Sequence, residues 1–313
     1  MSTIALDNHE FLSNLVAQNP DHPTVWGMLG EEHMASGQYA DALEAFDRQI
    51  ETKAEPRWYT QMGLCFAKVD QMGDAYAAFV LAGPPQTFEA LSTMAEVAFK
   101  LDKFEEAAEL FEKCLAQGHT TPLLRDLATC YEELGRPSDA VVCYDAALVL
   151  EPTNSNLWNN KGLAKSTMGL VDEAMECYNT ALVHNICNPC ALFNRGEIHI
   201  SRNQLEEAEF CFRSALLLQA DPDTYLNLGL VYDAMRRREQ AIVAYDQALA
   251  LDVDYSNVWY NKGLVFCDLG LHEQSLACFE EVLARDENDV DAWARKREAL
   301  IQLHRQEEAS RCQ

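Results

Sequence analysis

One column of polar residues recurs between residues 126 and 261 of this 313-residue chain at nearly constant spacing. Asp126 is followed, at steps of 34, 34, 33 and 34 residues, by Asn160, Asn194, Asn227 and Asn261. The asparagine amide carries both a donor and an acceptor, so it can pair with the N–H and the C=O of a peptide whatever side chains that peptide has. We call these five residues the asparagine column, and we expect them to hold the backbone of a partner segment.

The column is part of a longer periodicity that covers most of the chain. Two residues after each column position comes a small residue, and equivalent small residues are Gly30, Gly63, Ala95, Ala128, Gly162, Gly196, Gly229 and Gly263. Twelve residues further on, a second small residue recurs at Ala42, Ala75, Ala107, Ala140, Ala174, Ala208, Ala241 and Ser275. Four residues after that comes an aromatic ring, at Phe46, Phe79, Phe111, Tyr144, Tyr178, Phe212, Tyr245 and Phe279. A fixed period of this length indicates stacked helical repeats.

The spacing within one repeat predicts two antiparallel helices. The large and small residues of each segment fall on one face at 3.6 residues per turn. The small residue lets the two helices approach closely, while the aromatic ring fills the space beside the crossing. One helix pair leaves an apolar face uncovered, so neighbouring pairs must stack.

This pattern resembles the tetratricopeptide repeat, whose 34-residue unit reads W-x2-L-G-x2-Y followed by Ala, Phe, Ala and Pro. The resemblance implies an all-α fold, an α-solenoid in which antiparallel helix pairs form a right-handed superhelix. We expect eight repeats over residues 23–289 and a partial ninth repeat or capping helix over 290–313. Residues 1–22, in which Phe11 and Leu12 have helical spacing with Leu15 and Val16, predict an N-terminal capping helix. The repeats should form one elongated domain.

The family resemblance also implies a place for the asparagine column. In the family this face of the first helices lines the concave surface, and the column resembles the asparagine ladder with which some members hold an extended peptide. Phe193 and Tyr260 lie beside the column in sequence, and Glu197 follows it by one turn. This mixture suits a partner segment with basic or apolar side chains. The alternative is that asparagine recurs here only because it suits the fold.

The charge of the chain restricts its partners. With 24 basic and 50 acidic residues, the net charge is −26. Such a surface repels nucleic acid and anionic lipid and favours basic partners, so we expect neither nucleic acid nor membrane among the partners. The N-terminus lacks the basic start and apolar core of a signal peptide, which favours a cytoplasmic protein.

The eleven cysteines are expected to be reduced thiols rather than a disulfide framework. Four of them directly precede the repeated aromatic residue and are predicted to be small buried apolar residues: Cys143, Cys177, Cys211 and Cys278. Cys187 and Cys190 form a C-x-x-C in the turn between the fifth and sixth repeats. A metal site would need further ligands at a suitable spacing, and a thioredoxin-like site would need a βαβ context. We therefore favour a structural role and expect no metal or cofactor.

The chain shows no motif for catalysis. A phosphate-binding glycine loop, G-x-S-x-G and H-E-x-x-H are all missing from the sequence. Some members of the resembled family bind the C-termini of chaperones with a carboxylate clamp of Lys, Arg and Asn side chains. That mode is disfavoured here because Asp291 stands where the clamp needs a cation. The side chains of Arg236, Arg237 and Arg238, in the turn between the two helices of the seventh repeat, are expected to be exposed to solvent. The sequence thus favours a non-enzymatic scaffold that binds a segment of another protein in its groove. The alternative is a structural assembly subunit or self-associating adaptor that uses its outer face or its caps.

Overall fold

A computed structural model describes residues 2–20, 22–118 and 120–311, and its secondary structure is helical throughout that part of the chain. The predicted all-α solenoid of paired helices is confirmed. The predicted caps include Met1, Asp21, Cys312 and Gln313, which lie outside the described residues. Among the helices described, none combines the length and the apolar character that crossing a bilayer requires.

Residue contacts divide the chain into two compact units, Met1–Pro152 and Thr153–Gln313, whereas the sequence favoured one elongated domain. Helices of the first unit are α1 (Ser2–Gln18), α2 (Val25–Ala35), α3 (Tyr39–Thr52), α4 (Pro56–Lys68), α5 (Met72–Ala82), α6 (Phe88–Lys100), α7 (Phe104–Leu115), α8 (Thr121–Glu133) and α9 (Pro137–Leu150). Helices of the second unit are α10 (Ser155–Thr167), α11 (Val171–His184), α12 (Pro189–Ser201), α13 (Leu205–Leu218), α14 (Pro222–Ala234), α15 (Arg238–Leu251), α16 (Ser256–Asp268), α17 (His272–Arg285), α18 (Val290–Gln302) and α19 (Gln306–Ala309). Because each repeat contacts mainly its neighbours, an array of repeats can form two compact units and still be an α-solenoid.

Each repeat pairs an even-numbered first helix with the odd-numbered second helix that follows it, from α2–α3 to α16–α17. Within the second unit, the first helices α10, α12, α14 and α16 also contact one another in succession. Its second helices make no comparable contacts with one another in the described part of the chain. The first helices therefore form the inner side of this unit.

The contact between small residue and aromatic ring, predicted from the spacing, is confirmed in the repeats that carry glycine. A Cβ atom built on Gly196 would lie 2.7 Å from a ring carbon of Phe212, and one built on Gly229 would lie 2.3 Å from Tyr245. Both rings are fully buried. The missing side chain thus sets how closely the two helices of a repeat approach.

Terminal helices cover the apolar faces of the terminal repeats. Leu12 and Val16 of α1 form a buried cluster with residues of α2, whereas Phe11 is 62% exposed. At the other end, Leu300 of α18 packs against Leu276 of α17. A stack of repeats needs such covers because its last apolar face would otherwise meet water.

Arginines of the triplet Arg236–Arg238 form ion pairs with neighbouring repeats, whereas the sequence predicted a turn whose side chains are only exposed to solvent. Arg237 pairs with Glu209 of the preceding repeat, and Arg238 pairs with Asp268 of the following repeat. Only Arg236 remains largely exposed. The turn lies between the two helices of its repeat, where long side chains reach carboxylates on both neighbours.

Asn188 ties the start of α12 to the start of α10 and is 3% exposed. Its Oδ1 accepts a hydrogen bond from the backbone N–H of Ala191, which caps α12. Its Nδ2 donates to Ser155 Oγ at 2.8 Å and to Asn156 Oδ1 at 3.1 Å. Ser155 Oγ in turn donates to the carbonyl of Ala181. One buried amide therefore joins two successive repeats.

Replacing Asn188 by alanine is expected to lower the free energy of unfolding by about 1–3 kcal/mol, because it removes a helix cap and leaves buried groups unsatisfied. Urea denaturation monitored by circular dichroism measures this change. Asn188→Ser keeps a capping oxygen but cannot reach both partners, so it should recover only part of the loss. An alanine variant as stable as the wild type would contradict this role.

Candidate peptide-binding surface of the second unit

The asparagine column of the second unit lies on successive first helices. Asn160 is on α10, Asn194 on α12, Asn227 on α14 and Asn261 on α16, and all four side chains are half-buried. Because these helices contact one another in succession, the four residues lie on adjacent helices of the unit. Asp126, the first member of the column, lies on α8 in the first unit.

The four amides differ in how much hydrogen-bonding capacity remains for a ligand. Asn194 Nδ2 donates to Asn159 Oδ1 at 2.9 Å, and Asn159 Nδ2 donates to Asn160 Oδ1 at 3.3 Å. Asn261 Nδ2 donates to the carbonyl of Asn257 in its own helix. Asn227 makes no side-chain hydrogen bond with the described residues, and its whole amide remains available.

A cavity of about 350 Å³, which we call the first-helix cavity, lies on this side between α10, α12 and α14. It contains two predicted residues, Asn194 and Phe193, beside Asn159 and Leu163. The remaining lining residues are Pro189, Cys190, Ala215, Gln219, Asp221, Asp223 and Thr224. The Phe193 ring packs edge-on against the buried Phe212 ring at 5.7 Å between centroids, which holds it in place. The cavity thus combines a fixed apolar wall with amide groups.

Carboxylates border this cavity without cationic partners. Asp221 Oδ2 caps α14 by accepting from the Thr224 N–H at 2.8 Å, and Asp223 accepts from the Tyr255 hydroxyl. Neither carboxylate forms an ion pair with any residue described. The same is true of Glu197, which does not line the cavity but interacts electrostatically with Asp223. The nearby protein displaces water around Glu197 and raises its pKa, and the negative charge of Asp223 adds to the increase. Carboxylates in such an environment favour the binding of a positively charged group.

Six of the predicted residues do not line the first-helix cavity: Asp126, Asn160, Glu197, Asn227, Tyr260 and Asn261. Tyr260 is on α16, where its ring packs edge-on against Phe279 at 5.7 Å. Asp126 is paired with the adjacent Arg125 at 2.8 Å. Burial raises the pKa of Glu96, another acidic residue of the first unit, and Asp126 raises it further. The structure therefore brings together only part of the predicted residue set.

Sequence reasoning missed Asn159, Asp221 and Asp223. The signal for Asn159 was its repeat position, since it lies three residues before the small residue of its first helix, where the next repeat has Phe193. Asp221 and Asp223 flank Pro222, the first residue of α14. Acidic residues at the start of a helix ordinarily indicate capping, and only Asp221 caps here.

The cysteines before the repeated aromatic residues are buried, as predicted. Burial raises the pKa of Cys143 and of Cys278 to about 11, so both thiols are protonated at neutral pH. Cys187 and Cys190 are exposed, and they line different cavities. The described residues hold no group of three or more His, Cys, Asp or Glu side chains arranged for a metal ion.

Several different proteins of known structure have a similar helical fold. A chain of the "APC/C hetero-tetramer Cut9-Hcn1" aligns with 93% of this chain at 18% identity and a TM-score of 0.60, and the alignment covers 58% of that chain's length. A tetratricopeptide repeat protein from Parabacteroides merdae aligns with 78% of the chain and 98% of its own length, at 15% identity and a TM-score of 0.59. PilW, a type IV pilus biogenesis factor, aligns with 61% of the chain and 90% of its own length, at 18% identity and a TM-score of 0.55. At these identities the similarity establishes the fold alone.

Sequence models of the repeat extend along most of the chain. One model described as tetratricopeptide repeat matches residues 10–55, 92–155 and 226–290, and a second with the same description matches 155–182 and 191–222. The comparison with curated protein sequences gives no match. Since the models match more than half of the residues and the helix pairs have the predicted geometry, this chain belongs to the tetratricopeptide repeat family.

Proposed function

We propose that this protein is a non-catalytic scaffold that binds an extended segment of another protein on the inner side of its second unit. Members of the family generally act as scaffolds for protein–protein interaction. The observation that carries the proposal is the first-helix cavity, where Asn194 of the asparagine column and its partner Asn159 adjoin Asp221 and Asp223, which have no cationic partner among the described residues. A backbone and a basic side chain of one segment would satisfy both.

The amides supply contacts to the backbone of the segment. Asn227 offers an unused donor and acceptor, and Asn194 keeps its oxygen and one N–H because only one N–H is used by Asn159. That bond orients the Asn194 amide before a ligand arrives and reduces the entropy lost on binding. Each such contact contributes about 0.5–1.5 kcal/mol net.

The walls of the cavity favour a particular kind of side chain. Phe193 and Leu163 provide apolar surface, while Asp221 and Asp223 favour a positive charge. Glu197, which does not line the cavity but interacts electrostatically with Asp223, adds to this preference. A segment in which lysine or arginine adjoins an apolar residue would fit both features. The net charge of −26 would also attract such a segment over longer distances.

Combined alanine substitution of Asn194 and Asn227 is expected to weaken peptide binding about 5- to 150-fold, since two contacts of about 0.5–1.5 kcal/mol are removed. The probe is a displayed library of random ten-residue peptides, selected on the wild-type protein. Synthetic peptides made from the enriched sequences are then titrated by fluorescence anisotropy. We expect enrichment of lysine or arginine beside apolar residues.

The control variant is Asn288→Ala, which removes an exposed amide outside the first-helix cavity. It should bind the selected peptides as the wild type does. Unfolding curves of each variant separate a loss of binding from a loss of folding. Peptides that bind the Asn194→Ala, Asn227→Ala protein with unchanged affinity would refute the proposed site.

A further inference from the structure

A second concave surface lies on the opposite side of α12, between the second helices α11 and α13. We call this channel of about 780 Å³ the second-helix groove. Its walls carry Val183 and Ile186 on one side and Phe210 and Leu217 on the other, and all four are largely exposed, with Leu217 at 87%. A folded protein rarely leaves such a group of large apolar side chains in water unless a partner covers it.

The groove has a shape and a floor that suit a helix. Its walls are two helices that do not pack closely on each other, and its floor is formed by Leu192 and Arg195 of α12. A helix placed between two such walls would contact them through residues at positions i, i+3, i+4 and i+7. The first-helix cavity uses other residues of α12, among them Phe193 and Asn194, so the two surfaces are separate.

Arg195 gives the groove an unsatisfied positive charge. Its Nε contacts Cys211 Sγ at 3.3 Å, and one terminal nitrogen contacts Asn179 Oδ1 at 3.4 Å. No carboxylate lies within ion-pair distance in the part of the chain that the structure describes. In the same unit, Arg202 and Arg213 do have carboxylate partners. An arginine without one is notable in a chain with 50 acidic residues.

We propose that the second-helix groove binds an amphipathic helix of another protein, with large apolar residues on one face and an aspartate or glutamate that pairs with Arg195. The apolar side chains would cover Val183, Ile186, Phe210 and Leu217. The carboxylate would form a charge-assisted hydrogen bond in a partly dehydrated site, where such bonds are strongest. A second copy of this chain suits the groove less well because two bodies of charge −26 repel each other.

The test is selection from a displayed library of 18-residue helical peptides on the wild-type protein. Enriched peptides should carry apolar residues at i, i+3, i+4 and i+7 together with an acidic residue. A synthetic peptide of that sequence should lose at least tenfold in affinity for the Val183→Gln, Leu217→Gln variant. Val149→Gln is the matched control, because Val149 holds the position of Val183 and Leu217 in the fourth repeat, is 80% exposed and lies outside the groove. The control and Asn227→Ala should bind the peptide as the wild type does.

A charge test separates direct pairing from an effect on folding. Arg195→Gln should weaken binding of the acidic peptide about tenfold, yet leave binding of the same peptide with glutamine in place of its acidic residue unchanged. Enriched peptides without helical spacing or without an acidic residue would overturn the proposal. So would affinity that is indifferent to the groove variants. A wild-type dimer in sedimentation that Leu217→Gln dissociates would assign the groove to a second copy instead.

Discussion

Replacing Phe212 by alanine should lower the free energy of unfolding by about 3–5 kcal/mol, as expected for the loss of a large buried aromatic ring. The Phe212 ring is fully buried, lies against Gly196 and supports the ring of Phe193. Its loss would leave a cavity at the crossing of α12 and α13. Urea denaturation, monitored by circular dichroism, measures the change.

Phe210→Ala is the matched control because it removes the same side chain from the same helix. Phe210 is 64% exposed, so its substitution should change the unfolding free energy by no more than about 0.5 kcal/mol. Equal losses for the two variants would show that the ring is not held as described. At urea concentrations where Phe212→Ala remains folded, it should also bind the selected extended peptides more weakly, because Phe193 loses its support.

Gly229→Ala should destabilise the protein by about 1–3 kcal/mol although alanine favours helix by about 1 kcal/mol over glycine. The added Cβ would lie 2.3 Å from a ring carbon of Tyr245, a fully buried side chain. The ring or the helix must therefore shift. Thermal and urea unfolding of the purified variant measure the cost.

Gly73→Ala is the control for helix propensity. Gly73 lies in the first turn of α5, and a Cβ atom there would meet nothing within 4 Å. This substitution should leave stability unchanged or raise it by up to about 1 kcal/mol. If both glycine substitutions stabilise the protein, the close approach of α14 and α15 is not as described.

The two proposed surfaces would let one chain join two partners. The inner side of α12 presents Phe193 and Asn194 to an extended segment, and the other side presents Leu192 and Arg195 to a helix. Neither proposal depends on the other, because the two variant sets share no residue. Binding of one partner should therefore persist when the other surface is altered.

The periodicity alone was sufficient to predict the helix pairs, the ring beside each glycine and the buried cysteines. Each of these depends on residues within one repeat, and a repeat buries its own crossing in the same way wherever it stands. Gly196 and Phe212 are sixteen residues apart and meet because two helices joined by a short turn must be antiparallel neighbours. Such local relations can be deduced from spacing.

The hydrogen-bonding capacity left on Asn194 was decided by a contact between repeats. Asn194 meets the amide of Asn159, three residues before the small residue of the preceding repeat, and donates to it. At the equivalent place the repeats before Asn227 and Asn261 have Phe193 and Leu226, which offer no amide. Identical residues in one column therefore differ in free hydrogen-bonding capacity. The open surfaces on the two sides of α12 likewise arise only when successive repeats stack, since each is lined by residues of neighbouring repeats.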